Sequence, residues 1–359
     1  MNARGAAGRA LVGVAALVLL AGCAPGAGWT VTLATPAPAA QVPATPFACP
    51  PGSTPDKPGP VDQARPLGLA PTGAALAFDR RAGRLVAVTG TTDGPATETW
   101  TFDVCTNTWT RMPPNREPPR FGWARLVYDV DSDATLLVSS GGVWAYDLQA
   151  NTWTEKGVVS DAWLWAYDPL SGLVVAQGGL DPAAPLSTYD VETDTWTPIQ
   201  EVGAPETGAV SGGGWPVYGV LAYDASVDRI VAVAGVETWL FDIRTHGWSR
   251  SHAVPPHVLD WWTLPAIAYD ETAKRTVIGG NVRMAAYDAT TDRWEPVEFP
   301  GPDAWHGVSI VYDPVNERLV VLPDSWDSWE GGANAGVVAY DLSTREWTVL
   351  LEAGKPITP

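Results

Sequence analysis

Carboxylates, imidazoles and indoles collect in the same connecting segments of this chain. Asp161, Asp260, Asp303, Asp324, Asp327 and Glu330 lie there, and two carboxyl groups about 5 to 10 Å apart can run glycoside hydrolysis. Spacing along the chain does not set that separation, and acids in connections are commonly solvated, so no catalytic residue is assigned. His252, His257 and His306 share these segments and could join Asp260 or Asp303 on a metal. Their spacing matches no tight ligand motif, so neither a metal nor another cofactor is assigned. No Gly-rich phosphate loop and no Gly-x-Ser-x-Gly elbow is present.

The indoles carry the stronger signal. Trp123, Trp163, Trp165, Trp215, Trp261, Trp262, Trp305, Trp326 and Trp329 fall in connections or at the start of a strand, and Tyr218 joins them. Flat apolar rings with one donor suit stacking against sugar faces or other rings. The same rings can instead fill gaps between neighbouring loops. These ten residues are the ligand-binding candidates, with Trp261, Trp262, Trp326 and Trp329 foremost because their insertions are longest.

The elements that must position these residues follow from a repeat. Six aromatic-Asp pairs are each followed, six residues after the Asp, by Trp: Asp103 with Trp109, Asp147 with Trp153, Asp190 with Trp196, Asp242 with Trp248, Asp288 with Trp294 and Asp341 with Trp347. Successive tryptophans are 44, 43, 52, 46 and 53 residues apart, so a fixed kernel carries spacers of varying length. Upstream of each kernel a second aromatic-Asp pair ends an apolar run, at Asp79, Asp129, Asp168, Asp224, Asp270 and Asp313. A β-rich run follows each, opened by Arg84, Arg229, Arg275 or Arg318 in four repeats. Each repeat therefore reads as four short strands, a to d, with Asp- and Asn-rich a–b and c–d turns. No 3.6-residue apolar period is sustained beyond residue 22, so helices should be few. A four-stranded sheet cannot bury both faces alone, whereas six packed radially can.

Tyr-Asp, Arg, Gly-Gly, Tyr-Asp and Trp in this order resemble the kelch repeat, over about residues 72 to 350. The resemblance implies an all-β, six-bladed kelch-type propeller of four antiparallel strands per blade, like the central domain of galactose oxidase. Blades are expected at about 72–112, 121–156, 161–199, 217–251, 262–298 and 305–351, with a tail at 352–359. Galactose oxidase itself needs a copper site with a Cys–Tyr crosslink, and the only cysteine in the propeller, Cys105, sits in a c–d turn. Sialidases need an Asp-box turn carrying Gly and an arginine triad, and neither is evident. Strand alternation would put the d–a and b–c connections on one face and the short repetitive turns on the other, and sites favour variable loops on a rigid scaffold.

The N-terminus belongs to a different chemistry. Arg4 and Arg9 precede an apolar run from Ala10 to Ala21 that is too short to span a bilayer and reads as a secretory signal. Leu20-Ala21-Gly22-Cys23 resembles the bacterial lipobox, which implies a signal peptide at 1–22 and lipidation of Cys23. Residues 23–71 then form the lipidated Cys and a Pro/Ala-rich tether. Cys49 and Cys105 remain, and an even pair in an exported chain suggests a disulfide, two free thiols being the alternative. Without residues 1–22 there are 20 basic and 40 acidic side chains, a formal net charge of −20. That is a poor surface for nucleic acid or anionic lipid.

The sequence thus reads as an exported lipoprotein, anchored outward-facing on the cell membrane, whose loop-rich face recognises a neutral glycan or an envelope protein. A carbohydrate-active enzyme using loop carboxylates and a structural scaffold of an envelope complex are the alternatives.

Overall fold

The computed structural model describes residues 47–61, 63, 66, 75–90, 97–119, 124–139, 142–157, 162–178, 186–204, 219–234, 236–256, 266–280, 283–298, 305–325 and 336–352. Among them there are 24 strands and no helix. Blade 1 holds β1 (Ala75–Asp79), β2 (Arg84–Gly90), β3 (Thr97–Asp103) and β4 (Thr108–Met112). Blade 2 holds β5 (Ala124–Asp129), β6 (Ala134–Ser139), β7 (Gly142–Asp147) and β8 (Thr152–Glu155). Blade 3 holds β9 (Ala162–Asp168), β10 (Leu173–Gly178), β11 (Leu186–Asp190) and β12 (Thr195–Pro198). Blade 4 holds β13 (Gly219–Asp224), β14 (Arg229–Ala234), β15 (Glu237–Asp242) and β16 (Gly247–Arg250). Blade 5 holds β17 (Ala266–Asp270), β18 (Arg275–Gly280), β19 (Arg283–Asp288) and β20 (Arg293–Val297). Blade 6 holds β21 (Trp305–Asp313), β22 (Arg318–Ser325), β23 (Val337–Asp341) and β24 (Glu346–Leu351). Each sheet pairs its four strands in chain order, antiparallel throughout.

The first strands pack on one another around a ring: β1 on β5, β5 on β9, β9 on β13, β13 on β17, β17 on β21, and β21 back on β1. Among the described residues, the ring closes with no strand exchanged between its first and last blades. Its core lies between blades rather than within them. One apolar cluster fills each of the six junctions, from the Ala75, Leu126 and Trp144 cluster between blades 1 and 2 to the Leu85, Val320 and Leu350 cluster between blades 6 and 1. A sheet with apolar residues on both faces needs a neighbour on each side, and the ring supplies both.

The kernel residues explain how each blade is built. Cross-strand pairing sets the strand-c aromatic directly opposite the strand-d Trp, as in Tyr146 with Trp153 and Tyr287 with Trp294. All six ring pairs have centroids 4.6–5.0 Å apart, a contact that adds to simple burial. The indole N–H reaches the previous blade where it can: Trp153 donates to Thr99 at 2.8 Å and Trp294 to Thr238 at 3.0 Å.

The repeat Asp residues make the turns. In all twelve a–b and c–d turns the residue four after the Asp has φ between 50° and 69°. The Asp carboxylate accepts backbone N–H groups two or three residues on, for example from Ser226 to Asp224 at 2.9 Å and from Arg244 to Asp242 at 2.9 Å. Asn and Asp tolerate the left-handed region and occupy six of these positions, Asn107, Asn151, Asp133, Asp194, Asp228 and Asp292.

Candidate functional site

The a–b turns, at one end of the ring, bury their repeat carboxylates. The six aspartates are each 4% exposed or less. Burial raises the pKa of Asp79, Asp224, Asp270 and Asp313 above the ordinary carboxylate value. Tyr128 donates to Asp133 at 2.7 Å and Tyr223 to Asp228 at 3.0 Å. Arg81 pairs with Asp133, and Arg80 reaches across to Glu271 in the a–b turn of blade 5. The six repeat carboxylates of this end are engaged in hydrogen bonds within their own turns.

The opposite end is where the sequence placed its candidates. Trp163 and Trp165 lie on β9 and Trp305 on β21, all in first strands. Trp165 is 4% exposed and packs in the core between blades 2 and 3. Trp123, Trp215, Tyr218, Trp261, Trp262, Trp326 and Trp329 lie outside the described residues, as do Cys23, His257, Asp161, Asp260, Asp303, Asp327 and Glu330. Asp324 is on β22 and His306 on β21. Among the described residues no group of three or more His, Cys, Asp or Glu is disposed to hold a metal ion.

His252 has a different place from the one read from sequence. Its backbone N–H donates to Asp292 Oδ2 at 2.9 Å, beside the c–d turn of blade 5. The outer strand of a twisted blade leans toward its neighbour, so the first residues of a d–a connection meet the next blade's c–d turn before the chain returns inward. The hydrogen bonds from Ser251, the His252 N–H and Tyr287 hold the Asp292 carboxyl down to about 2, although its burial works the other way.

Arg125 was not singled out by sequence. It sits on β5, four residues before the turn Asp, where the other blades carry Ala75, Leu164, Val220, Ala266 and Ser309. It shares the sheet face of Val127, which packs in the cluster that holds Trp165. Burial pushes its guanidinium down to about 10. The available signal was its charge at a repeat position that is otherwise uncharged. Further out, arginines and glutamates frame the strand-c tryptophans. Arg116 stands over Trp144 at 4.5 Å and pairs with Glu155, and Arg250 stands over Trp239 at 5.9 Å and pairs with Glu237. Trp144 serves packing and is 2% exposed, whereas Trp239 is half-buried.

Before β1, residues 47–61 lie against blades 1 and 6, and a disulfide joins Cys49 to Cys105 in the c–d turn of blade 1. No helix among the described residues is long and apolar enough to cross a membrane.

No family model and no curated protein matches the chain. Solved structures do. An auxiliary nutrient binding protein from Bacteroides ovatus ATCC 8483 superposes with a TM-score of 0.50 at 11% identity, over 69% of this chain and 65% of that one. One from Bacteroides thetaiotaomicron VPI-5482 gives 0.49 at 13%, over 70% and 66%. TolB from Acinetobacter baumannii gives 0.49 at 12%, over 76% and 66%. This chain therefore spans slightly less than two thirds of the length of those proteins, and at 11% identity the likeness to the Bacteroides ovatus structure speaks for the fold alone, in keeping with the six four-stranded sheets of this chain.

Proposed function

We propose that this chain is an exported recognition module of kelch type, lipid-anchored through Cys23, that binds a neutral glycan or an envelope protein through its loop-rich end. The asymmetry between the two ends carries the reading. At the a–b end the repeat carboxylates are buried and hydrogen-bonded within their own turns. The connections expected at the other end vary in length and hold the candidate indoles, and the innermost strand β5 carries a cation, Arg125, where the other blades carry Ala, Leu, Val or Ser. Places where a repeat breaks its own rule are where function is expected. The Cys49–Cys105 disulfide supports an oxidising compartment. The Bacteroides ovatus neighbour is described as an auxiliary nutrient binding protein; recognition is the use of the scaffold that this chain's own residues favour.

The test is a glycan array probed with the mature protein in detergent, beside Trp261→Ala/Trp262→Ala and Arg125→Leu variants. Saturable binding to one glycan class, lost in the variants, is the expected result. Absence of binding to every glycan rejects the sugar reading, and crosslinking to envelope proteins then tests the protein partner.

A further inference from the structure

Five of the six blade junctions carry the same stitch. The chain leaving strand d turns onto the next blade and bonds its c–d turn or the strand beyond. Asn151 Nδ2 donates to Pro113 O at 3.2 Å, and Gly157 N to Asp194 Oδ1 at 2.7 Å. Val202 N donates to His246 O at 2.8 Å, and His252 N to Asp292 Oδ2 at 2.9 Å. In blade 6 the Trp347 indole donates to Glu298 O at 3.0 Å. Each stitch is made by chain that continues from one blade into the next.

Among the described residues the junction of blade 6 with blade 1 has no such continuation, because β24 is the last strand and β1 the first. The N-terminal segment takes over. Asn107, at the left-handed position of blade 1's c–d turn, donates through Nδ2 to Pro55 O at 2.7 Å and to Lys57 O at 2.8 Å. Gln63 donates to Asn107 O at 3.1 Å and accepts from Trp109 N at 2.5 Å. On the other side, Gly59 N donates to Leu350 O of β24 at 2.8 Å.

Two further features show that both blades are shaped to this segment. Arg84, Arg229 and Arg275 open the second strands of blades 1, 4 and 5 and pair with the strand-c Asp of their own blade at 3.1, 2.9 and 2.8 Å. Arg318 opens the second strand of blade 6, yet it reaches Asp56 Oδ1 at 2.9 Å and Pro55 O at 3.1 Å. Glycines clear the path: a Cβ on Gly59 would collide with the Asn107 carbonyl, and one on Gly83 with the ring of Phe47. The disulfide then ties Cys49 to Cys105, within the same c–d turn as Asn107.

We propose that residues 47–61 with Gln63 are a disulfide-locked clasp that replaces the missing blade-to-blade link, so that reducing Cys49–Cys105 loosens the ring at this junction and leaves the other five shut. The chemistry is thiol–disulfide exchange with an added dithiol such as dithiothreitol. A reagent thiolate attacks the half-buried Cys49 sulfur and the Cys105 thiolate leaves. The reagent's second thiolate then displaces Cys49. The products are two protein thiols and one cyclic reagent disulfide, for two electrons and two protons. Without the bond, the polar contacts and the packing of Phe47 hold the clasp with no covalent tie.

Hydrogen exchange read by mass spectrometry on the full-length protein tests this, oxidised against reduced. The expected result is amide exchange faster by on the order of a hundredfold in β1, β4, β24 and residues 47–61, given what a disulfide closing a loop of this size contributes. Exchange in β10 and β14 should stay as it was. A Cys49→Ser variant, needing no reagent, should show the same local pattern. Protection lost evenly over all six blades would overturn the proposal, since the bond would then act only on the unfolded chain. Unchanged exchange in β1 and β24 after verified reduction would overturn it as well.

Discussion

The a–b and c–d turns are one motif at two depths. Both run from an Asp to a residue in the left-handed region, and both spend the carboxylate on turn N–H groups. In blade 4 the inner Asp224 is 0% exposed and the outer Asp242 is partly exposed. Burial raises the pKa of Asp224 against the pull of its hydrogen bonds from Ser226 and Thr276. At Asp242 burial also raises it but is outweighed by the Arg244 and Thr245 N–H groups and the Arg229 guanidinium, so the net direction is down. A local sequence kernel thus determines the turn's shape, while radial position determines what its charge costs.

Substitution to Ala sharpens this contrast most. Asp224→Ala strands the Ser226 N–H and hydroxyl and the Thr276 hydroxyl, which lies in blade 5 and is 0% exposed. Unmet buried donors make this cost about 3 kcal/mol. Asp242→Ala removes as many bonds, but the Arg244 N–H and the Arg229 guanidinium can turn to water, so about 1 kcal/mol is expected. In a ring of this size these correspond to Tm losses of about 9 °C and about 3 °C by calorimetry. Equal losses would show that depth does not decide the cost.

The strand-d Trp offers a smaller contrast of the same kind. Trp294 donates to Thr238 of blade 4, whereas the Trp196 indole N–H meets no hydrogen-bond partner. Phe at position 294 loses a hydrogen bond as well as ring area, and Phe at 196 loses area alone. Denaturant melts should place Trp294→Phe about 1 kcal/mol below Trp196→Phe. A smaller gap would mean that the indole bond between blades contributes nothing net.

The turns, the kernel ring pairs and the blade count were legible because each residue involved has a local job repeated at fixed spacing. Asp103 and Asn107 build the same turn whatever surrounds them. Other features depend on partners far along the chain. The bonds that hold residues 47–61 use the carbonyls of Pro55 and Lys57, which any residue would supply, in a stretch whose Pro-rich composition reads as unstructured. Arg318 looks in sequence like Arg84, and only its neighbour across the junction turns it to Asp56. His252 was assigned to the loop-rich end because strand alternation predicts ends, not the twist that carries an outer strand sideways. Arg125 was visible in principle, as a charge in an otherwise uncharged column. The indoles of the long connections repeat nothing, so no periodic argument positions them.

The finest test of inner against outer turns is the sign of their pH dependence. Asp224 has a raised folded pKa, so above 3.8 the folded chain holds a proton that the unfolded chain has lost. Its contribution to stability is fully present below that value and is lost as pH rises through the raised value. Asp292 has a folded value lowered to about 2 from 3.8. Its contribution is present above 3.8 and is lost as pH falls toward about 2, and with the side chain 34% exposed it amounts to about 1 kcal/mol once solvent screening is allowed for. Urea melts of Asp224→Asn and Asp292→Asn against the parent between pH 2 and pH 6 should therefore give stability differences that slope in opposite directions. Slopes of one sign would mean that the two turn families share an electrostatic environment, and that burial of the inner carboxylates is compensated within the turn itself.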